Sequence, residues 1–97
     1  MKIDKKLDDK TLTVMIEGRL DTNTAGSLAN ELNSLVGVET LIFDLKDLDY
    51  IASAGLRVLL NCQKKMSAQG NMIIKNANDN IKDVFEITGF SDILEIE

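Results

Sequence analysis

The sequence predicts one α/β domain, residues 1–97, built on a mixed and mostly parallel β-sheet. Short apolar runs alternate with amphipathic helical segments, and repeated strand–helix–strand order favours parallel pairing. At the N-terminus, by contrast, only a polar turn separates two segments of alternating polarity, which indicates an antiparallel hairpin. The chain has no proline and no low-complexity linker, so nothing suggests a division into two domains.

The first predicted elements are the hairpin and a helix. Residues 2–7 and 12–16 form the two strands, with Asp8–Asp9–Lys10 as their turn. Residues 18–24 break the alternation and are rich in side chains that can cap a helix. Apolar residues then recur at helical spacing over 25–36, and Gly37 is the expected residue after the helix.

The second half of the chain repeats the alternation of strand and helix. Residues 40–45 are a nearly continuous apolar run, as expected for a buried central strand. Asp44 lies near the carboxyl end of that strand and Ser53 follows it, in the region where sites in parallel sheets tend to lie. The remaining elements are a helix over 54–69, a strand over 72–75, a helix that Asn78 caps and Gly89 ends, and a strand over 93–96.

The composition excludes several classes of function. The chain contains no histidine, the usual base of Ser–His and Cys–His catalysis, so we expect no catalytic residues and no enzyme. Cys62 is the only cysteine, which excludes a Cys/His zinc site and fits a reducing compartment. On a helical wheel it lies on the apolar side of the predicted helix over 54–69, so we expect it to be a core residue. The net charge of −5 argues against nucleic-acid binding and favours a protein partner. Without a membrane span or signal peptide, the expected location is cytoplasmic, with no membrane partner, metal or cofactor.

Ser53 has three interpretations. As a helix N-cap it would stabilise the following helix by ~1 kcal/mol. Ala-Ser-Ala-Gly partly matches a nucleophile elbow, but the chain has no histidine to activate the hydroxyl. As a phosphoacceptor, Ser53 would place a phosphate at a helix start, where free amides and the helix dipole favour it. On a helical wheel Ser53 lies on the exposed, polar side together with Arg57 one turn later, and Arg57 would contact that phosphate. Spacing alone leaves the cap and the phosphoacceptor open.

The acidic residues Asp44, Asp47 and Asp49 raise the alternative of a receiver-type phosphoacceptor aspartate or a Mg²⁺ site. A receiver domain needs an acidic pair after its first strand. The pair here, Asp8 and Asp9, lies in the hairpin turn. We therefore interpret residues 44–49 as a solvated, negatively charged loop.

Three segments together resemble the STAS domain of bacterial anti-sigma factor antagonists. GRLDTNTA over 18–25 is similar to the family's G-x-L-D-x-x-T-A segment, and LIFDLKDLDYIASAGLRVLL over 41–60 resembles its strand, loop and phosphoserine helix. VFEITGF over 84–90 resembles its closing helix and turn. The resemblance covers nearly all of the chain and implies a single STAS-type domain, with helices packed mainly on one face of a mixed sheet.

The resemblance implies a non-enzymatic switch. Unphosphorylated members bind an anti-sigma factor that is also a serine kinase, which frees the sigma factor. Phosphorylation of the antagonist's serine, here Ser53, ends this binding, and a PP2C-type phosphatase restores it. The partner-binding residues that the family pattern assigns are Asp21, Thr22, Asn23, Ala52, Ala54, Gly55 and Arg57. Gly55 either lets a partner approach closely or accommodates packing at the strand–helix corner.

Two departures from the family pattern bear on this expectation. Many antagonists carry an acidic residue immediately before the phosphoacceptor, where this chain has Ala52. Longer members continue into a further helix after the last strand, so we expect that part of the sheet or one helix face is less covered here, or that the domain is simply minimal. The alternative function is a STAS interaction module outside sigma control, such as a scaffold or a small-molecule or lipid-pathway subunit. We expect a monomer or a weak dimer.

Overall fold

The computed structural model describes residues 1–97 and contains a six-stranded mixed sheet with three α-helices packed against it. The strands are β1 (Lys2–Asp8), β2 (Thr11–Leu20), β3 (Thr40–Asp44), β4 (Leu48–Ile51), β5 (Asn71–Lys75) and β6 (Glu95–Ile96). The helices are α1 (Ala25–Glu31), α2 (Ser53–Ser67) and α3 (Asp79–Ile87), and a short 3-10 helix spans Phe90–Asp92.

Strand β2 organises the sheet because its two halves pair with different strands. Its first half lies parallel to β3, with Val14 beside Phe43, and its last residues lie parallel to β4, with Leu20 beside Ile51. On its other side β2 pairs with β1 in an antiparallel hairpin, and β3, β5 and β6 continue the sheet in parallel. The mixed, mostly parallel sheet with an N-terminal hairpin is therefore confirmed.

The helices lie on one face of the sheet, as expected. Alternate residues of β2, β3 and β5 are fully buried and join the buried residues of all three helices in one apolar cluster. The residues between them, such as Ile42 and Ile73, point to the opposite face and keep part of their surface exposed. The sheet residues that face the helices are Val14, Ile16, Leu20, Leu41, Phe43, Met72 and Ile74. No helix combines the length and the apolar composition that crossing a bilayer requires.

The loop predicted over residues 44–49 runs into strand β4, so that prediction is wrong for residues 48 and 49. Leu48 and Ile51 are both buried, although Asp49 and Tyr50 between them are exposed. This spacing arises because the register with β2 shifts between Gly18 and Arg19, so that two residues of β4 lie opposite one of β2. The same pairing extends β2 through 18–20, where the sequence indicated a break.

The first helix is shorter than predicted, since α1 ends at Glu31 instead of Val36. Leu35 and Val38 are buried after the helix has ended, whereas Val36 is 91% exposed. The Nε2 atom of Gln69 donates to the backbone carbonyls of both Leu35 and Val38 at 2.6 Å. This side chain, which lies just after the end of α2, therefore holds the loop in place. Gly37 adopts a positive φ of 82° within that loop instead of closing the helix.

Candidate functional site

Two neighbouring strand ends bring the predicted site residues together. Strands β2 and β4 are parallel, so they end at the same edge of the sheet. The amide of Ala52 donates to the carbonyl of Leu20 at 2.9 Å and carries the strand pairing one residue beyond β4. The loop of Asp21, Thr22 and Asn23 after β2 therefore lies beside the start of α2, which carries Ser53.

Ser53 is the first residue of α2 and not its N-cap, so the cap interpretation is wrong. Ala52 occupies the cap position in an extended conformation (φ −100°, ψ 174°), and no side chain caps the helix. Ser53 is exposed, as the helical wheel predicts, and its hydroxyl makes no hydrogen bond within the protein. Helix α3 differs, because Oδ1 of its predicted cap, Asn78, accepts from the amide of Ile81 at 2.9 Å.

The start of α2 offers unpaired backbone amides to an anion. The first helical hydrogen bond runs from the amide of Leu56 to the carbonyl of Ala52 at 3.0 Å, and the intervening amides have no acceptor within the protein. The first turn contains no acidic side chain. Arg57 is exposed on the same face one turn later and takes part in no ion pair of the domain. Negative charge at Ser53 would meet these amides and one cation.

Gly55 is buried and packs at the strand–helix corner, which was one of its two expected roles. A Cβ atom at this position would lie 2.6 Å from Cγ of Leu20, closer than real contacts allow, and 3.0 Å from Cγ1 of Ile51, which is an unusually tight contact. The absence of a side chain at Gly55 therefore lets α2 pack directly on the ends of β2 and β4. Gly55 positions the helix start, and its neighbours Ser53 and Arg57 provide the exposed surface.

Hydrogen bonds to the Asp21 carboxylate order the loop after β2. Oδ1 of Asp21 accepts from the amides of Asn23 at 3.0 Å and Thr24 at 3.2 Å. The hydroxyl of Thr24 donates to the carbonyl of Arg19 at 2.8 Å and accepts from the amide of Asp21 at 2.9 Å. Thr22 and Asn23 are exposed at the tip of this loop. The side chains most available to a partner thus sit on an internally bonded turn.

The environment of Asp21 favours its ionised form. Desolvation raises the pKa of this carboxyl, but the hydrogen bonds from Thr24 and the amide of Asn23, together with the charge of Arg19, outweigh it. The pKa of Asp21 therefore lies below its ordinary value of 3.8. The loop consequently presents a full negative charge near neutral pH.

Arg19 and Tyr50 also lie at this edge of the sheet, and neither was predicted to be part of the site. The Arg19 guanidinium lies 4.2 Å from the centroid of the Tyr50 ring and 3.7 Å, through Nε, from Oδ2 of Asp21. The register places the two residues side by side on β2 and β4. Because β4 was not predicted, nothing in the sequence indicated that Tyr50 lies close to the Asp21 loop.

Asp44, at the end of β3, serves a structural purpose in the turn beside the site. Its Oδ1 accepts from the amide of Lys46 at 3.1 Å and from Nδ2 of Asn76 at 3.0 Å. Asn76 has a positive φ of 62°, and this hydrogen bond helps to hold it there. The carboxylate therefore ties together the turns that follow β3 and β5.

Cys62 is a core residue, in agreement with its position on the helical wheel. Its side chain is 3% exposed within the apolar cluster. Desolvation raises the pKa of the thiol to about 11, despite the opposing charge of Lys65. The thiol is protonated near neutral pH and packs as a small apolar side chain.

Comparison with known proteins decides the family. The STAS domain family model matches residues 2–97. The chain belongs to the STAS domain family. Among its relatives, BtrV of Bordetella bronchiseptica, named as a candidate anti-sigma factor antagonist, is 34% identical over 99% of this chain and 85% of its own length. The anti-sigma-B factor antagonist of Bacillus subtilis is 31% identical over 99% of this chain and 90% of its own length. These relatives of the STAS chain are named as regulators and not as enzymes.

Solved structures support the STAS fold. The anti-sigma factor antagonist SpoIIAA in its unphosphorylated form superimposes with a TM-score of 0.79 at 17% identity, covering 99% of this chain and 87% of SpoIIAA. The phosphorylated form of the Bacillus protein SpoIIAA gives a TM-score of 0.78 at 18% identity, covering 99% and 91%. At this level of identity the superpositions establish the fold alone.

Proposed function

We propose that this STAS domain is an anti-sigma factor antagonist whose binding is switched by phosphorylation of Ser53. In this proposal the unphosphorylated form binds an anti-sigma factor that is a serine kinase, and so frees the sigma factor. The kinase transfers the γ-phosphoryl group of ATP to Oγ of Ser53, which ends binding. A PP2C-type phosphatase hydrolyses the phosphoester and restores the binding form. The relatives named as anti-sigma-B factor antagonists support the partner class.

The observation that carries the proposal is the exposed, unbonded hydroxyl of Ser53 at an uncapped helix start. A kinase can reach this hydroxyl without unfolding the domain. The added phosphate carries about −1.5 to −2 charges. The free amides of the first turn and the side chain of Arg57 accommodate that charge within the same helix. Phosphorylation therefore changes the surface and leaves the fold intact.

The partner surface in this proposal combines two segments. Asp21, Thr22 and Asn23 provide an ordered, acidic loop on one side, while Ala52 and Ala54 flank the serine on the other. Both alanines are half-buried and leave the approach to the hydroxyl uncrowded. A phosphate placed between them adds bulk and like charge beside Asp21. A partner that fits the unmodified surface and its single carboxylate loses both shape and charge complementarity.

Replacement of the hydroxyl tests the site of modification. The protein carrying Ser53→Ala is compared with wild type after expression in its native cells, by intact mass and peptide mapping. Ser27→Ala is the matched control, because Ser27 is an exposed serine in the first turns of α1. We expect one phosphate on wild type and on the control, and none on Ser53→Ala, with unchanged circular dichroism. A phosphate that persists on Ser53→Ala, at another serine or a threonine, contradicts the proposal.

A charge at position 53 tests the effect on binding. Ser53→Asp adds negative charge at the helix start, and we expect it to weaken binding to the cognate kinase by roughly tenfold or more, as one unfavourable charge contact at an interface does. Ser53→Asn is the matched control of similar size without charge. Titration calorimetry with the unmodified kinase measures both. Equal affinities of wild type and Ser53→Asp rule out the electrostatic part of the switch.

A further inference from the structure

Strand β1 forms an open edge of the sheet. It pairs only with β2, so the backbone groups on its outer side have no partner within the domain. Its side chains are almost all exposed, and Leu7 keeps 65% of its surface in solvent. Open edges are sites where a further strand can add through main-chain hydrogen bonds.

We propose that a second copy of this chain occupies this edge, with β1 antiparallel to β1 about a two-fold axis at Lys5. The seven-residue strand reads KIDKKLD, which is complementary to its own reverse. About Lys5, Lys2 of one copy meets Asp8 of the other, and Asp4 meets Lys6. Ile3 meets Leu7 and covers its exposed surface. Each contact occurs twice because the interface is isologous.

The faces of the sheet agree with this pairing. Ile3 and Leu7 pair with Ile16 and Leu12 of β2, so both lie on the helix face. The charged residues that would pair across the axis, at positions 2, 4, 6 and 8, all lie on the open face. A two-fold axis perpendicular to the sheet keeps each residue on its own face. Apolar side chains therefore meet apolar ones, and charges meet charges.

Lys5 is the one residue that would meet its own copy, and its charge is already compensated. Its Nζ lies 2.7 Å from Oε2 of Glu31 in α1 and donates to the backbone carbonyl of Glu31 at 3.3 Å. Each Lys5 is thereby drawn toward its own helix on the helix face. The like charges at the axis consequently do not oppose the pairing of the two strands.

The charge pattern also selects this register over its neighbours. A slip by two residues in one direction brings Lys2 opposite Lys6 and Asp4 opposite Asp4. A slip by two in the other direction brings Asp4 opposite Asp8 and Lys6 opposite Lys6. Like charges directly opposite each other are destabilising, and a slip by one residue would exchange the two faces. The charges that protect an edge against other strands are here complementary to the same strand.

The predicted dimer is weak and depends on concentration. One strand against one strand is a small interface beside the ~1,200–2,000 Å² that stable complexes bury. Wild type is therefore studied by sedimentation equilibrium from about 10 µM to about 1 mM, where mass action moves a weak dimer from monomer toward dimer. We expect the average mass to rise with concentration, and to rise less at high salt because the cross-strand pairs are exposed.

Charge exchange at one cross-strand pair tests the register. Asp4→Lys places lysines opposite Lys6, and Lys6→Asp places aspartates opposite Asp4. We expect each to raise the dimer dissociation constant by roughly tenfold or more, because two attractive pairs become two repulsive ones. The double variant Asp4→Lys/Lys6→Asp restores opposite charges, and we expect it to return to within about threefold of wild type.

Matched controls carry the same changes of charge away from the edge. Asp83→Lys and Lys82→Asp alter exposed residues of α3, and we expect both to dimerise like wild type. A wild-type protein that stays monomeric up to about 1 mM overturns the proposal, since mass action must populate even a weak dimer there. Single variants that weaken association no more than their controls, or a double variant that fails to recover, also overturn it. Circular dichroism of every variant confirms that the domain is folded.

Discussion

A methyl group at position 55 is expected to destabilise the domain, although alanine is a better helix former than glycine. Gly55 lies in the first turn of α2, directly above the ends of β2 and β4. In Gly55→Ala the new Cβ would lie 2.6 Å from Cγ and 2.9 Å from Cδ2 of Leu20. Leu20 is fully buried in the close-packed core, so any movement of its side chain would displace other core residues. The start of α2 must therefore lift away from the sheet.

The magnitude follows from two opposing terms. Overpacking of a dense core costs about 1–3 kcal/mol. Replacement of a helical glycine by alanine contributes up to about 1 kcal/mol in the other direction, and less in a first turn. The packing term is larger, so we expect a net loss of roughly 1–2 kcal/mol in the free energy of unfolding. For a domain of this size each kcal/mol lowers Tm by about 4–8 °C.

Gly26→Ala provides the matched control. Gly26 lies in the first turn of α1, and no atom lies within 4 Å of a Cβ at that position. We expect this variant to be as stable as wild type or more stable by up to about 1 kcal/mol. Urea denaturation followed by circular dichroism measures both variants. If Gly55→Ala is as stable as Gly26→Ala, the close contact with Leu20 is not a constraint and the argument for the role of Gly55 fails.

Two further predictions concern the ends of the elements around the site. Asn78→Ala removes the side-chain hydrogen bond to the amide of Ile81 that caps α3, and we expect the free energy of unfolding in urea to fall by about 1–2 kcal/mol. The control Asn80→Ala, on the exposed face of α3, should change it by less than about 0.5 kcal/mol. Equal effects of the two substitutions would show that the cap is not the cause. The pKa of Asp21 is lowered by folding, so its contribution to stability is present above the unfolded pKa and is lost as the pH falls through the folded pKa. Asp21→Asn should therefore be less stable than wild type at pH 7 and approach it in acid below the ordinary value of 3.8, and a difference that is constant with pH would contradict the assignment.

Periodicity predicted the elements whose residues alternate or recur regularly. The hairpin, β3, β5 and the capped start of α3 at Asn78 all lie where the sequence placed them, within a few residues. These elements have one buried face and one exposed face, so the pattern of apolar residues records their geometry. The helix face of α2 was predicted for the same reason, including the burial of Cys62 and the exposure of Ser53.

The errors share a physical cause, which is tertiary structure that overrides the local pattern. In β4 the register shift inserts one extra residue, so the buried residues Leu48 and Ile51 are three positions apart instead of two. The alternating pattern that identifies a strand is therefore absent from the sequence. Because β4 was not predicted, the cap interpretation placed Ser53 at the position that Ala52 occupies. The pairing of β4 with β2 continues to Ala52, and this fixes Ala52 as the last extended residue and Ser53 as the first helical one. The position of this helix start cannot be predicted from residues 52 and 53 alone, because it depends on the pairing of β4 with β2.

The starts of α2 and α3 differ in a way that bears on the switch. The side chain of Asn78 accepts from one first-turn amide of α3, that of Ile81, whereas the side chain of Ala52 before α2 can accept from none. An uncapped start forgoes about 1 kcal/mol, yet α2 is the longest helix and is fixed from below by the contact of Gly55 with Leu20. Its open amides are therefore held in place without a cap. In the proposed switch, a cap residue at position 52 would compete for the amides that a phosphate on Ser53 would contact, and Ala52 leaves those amides available.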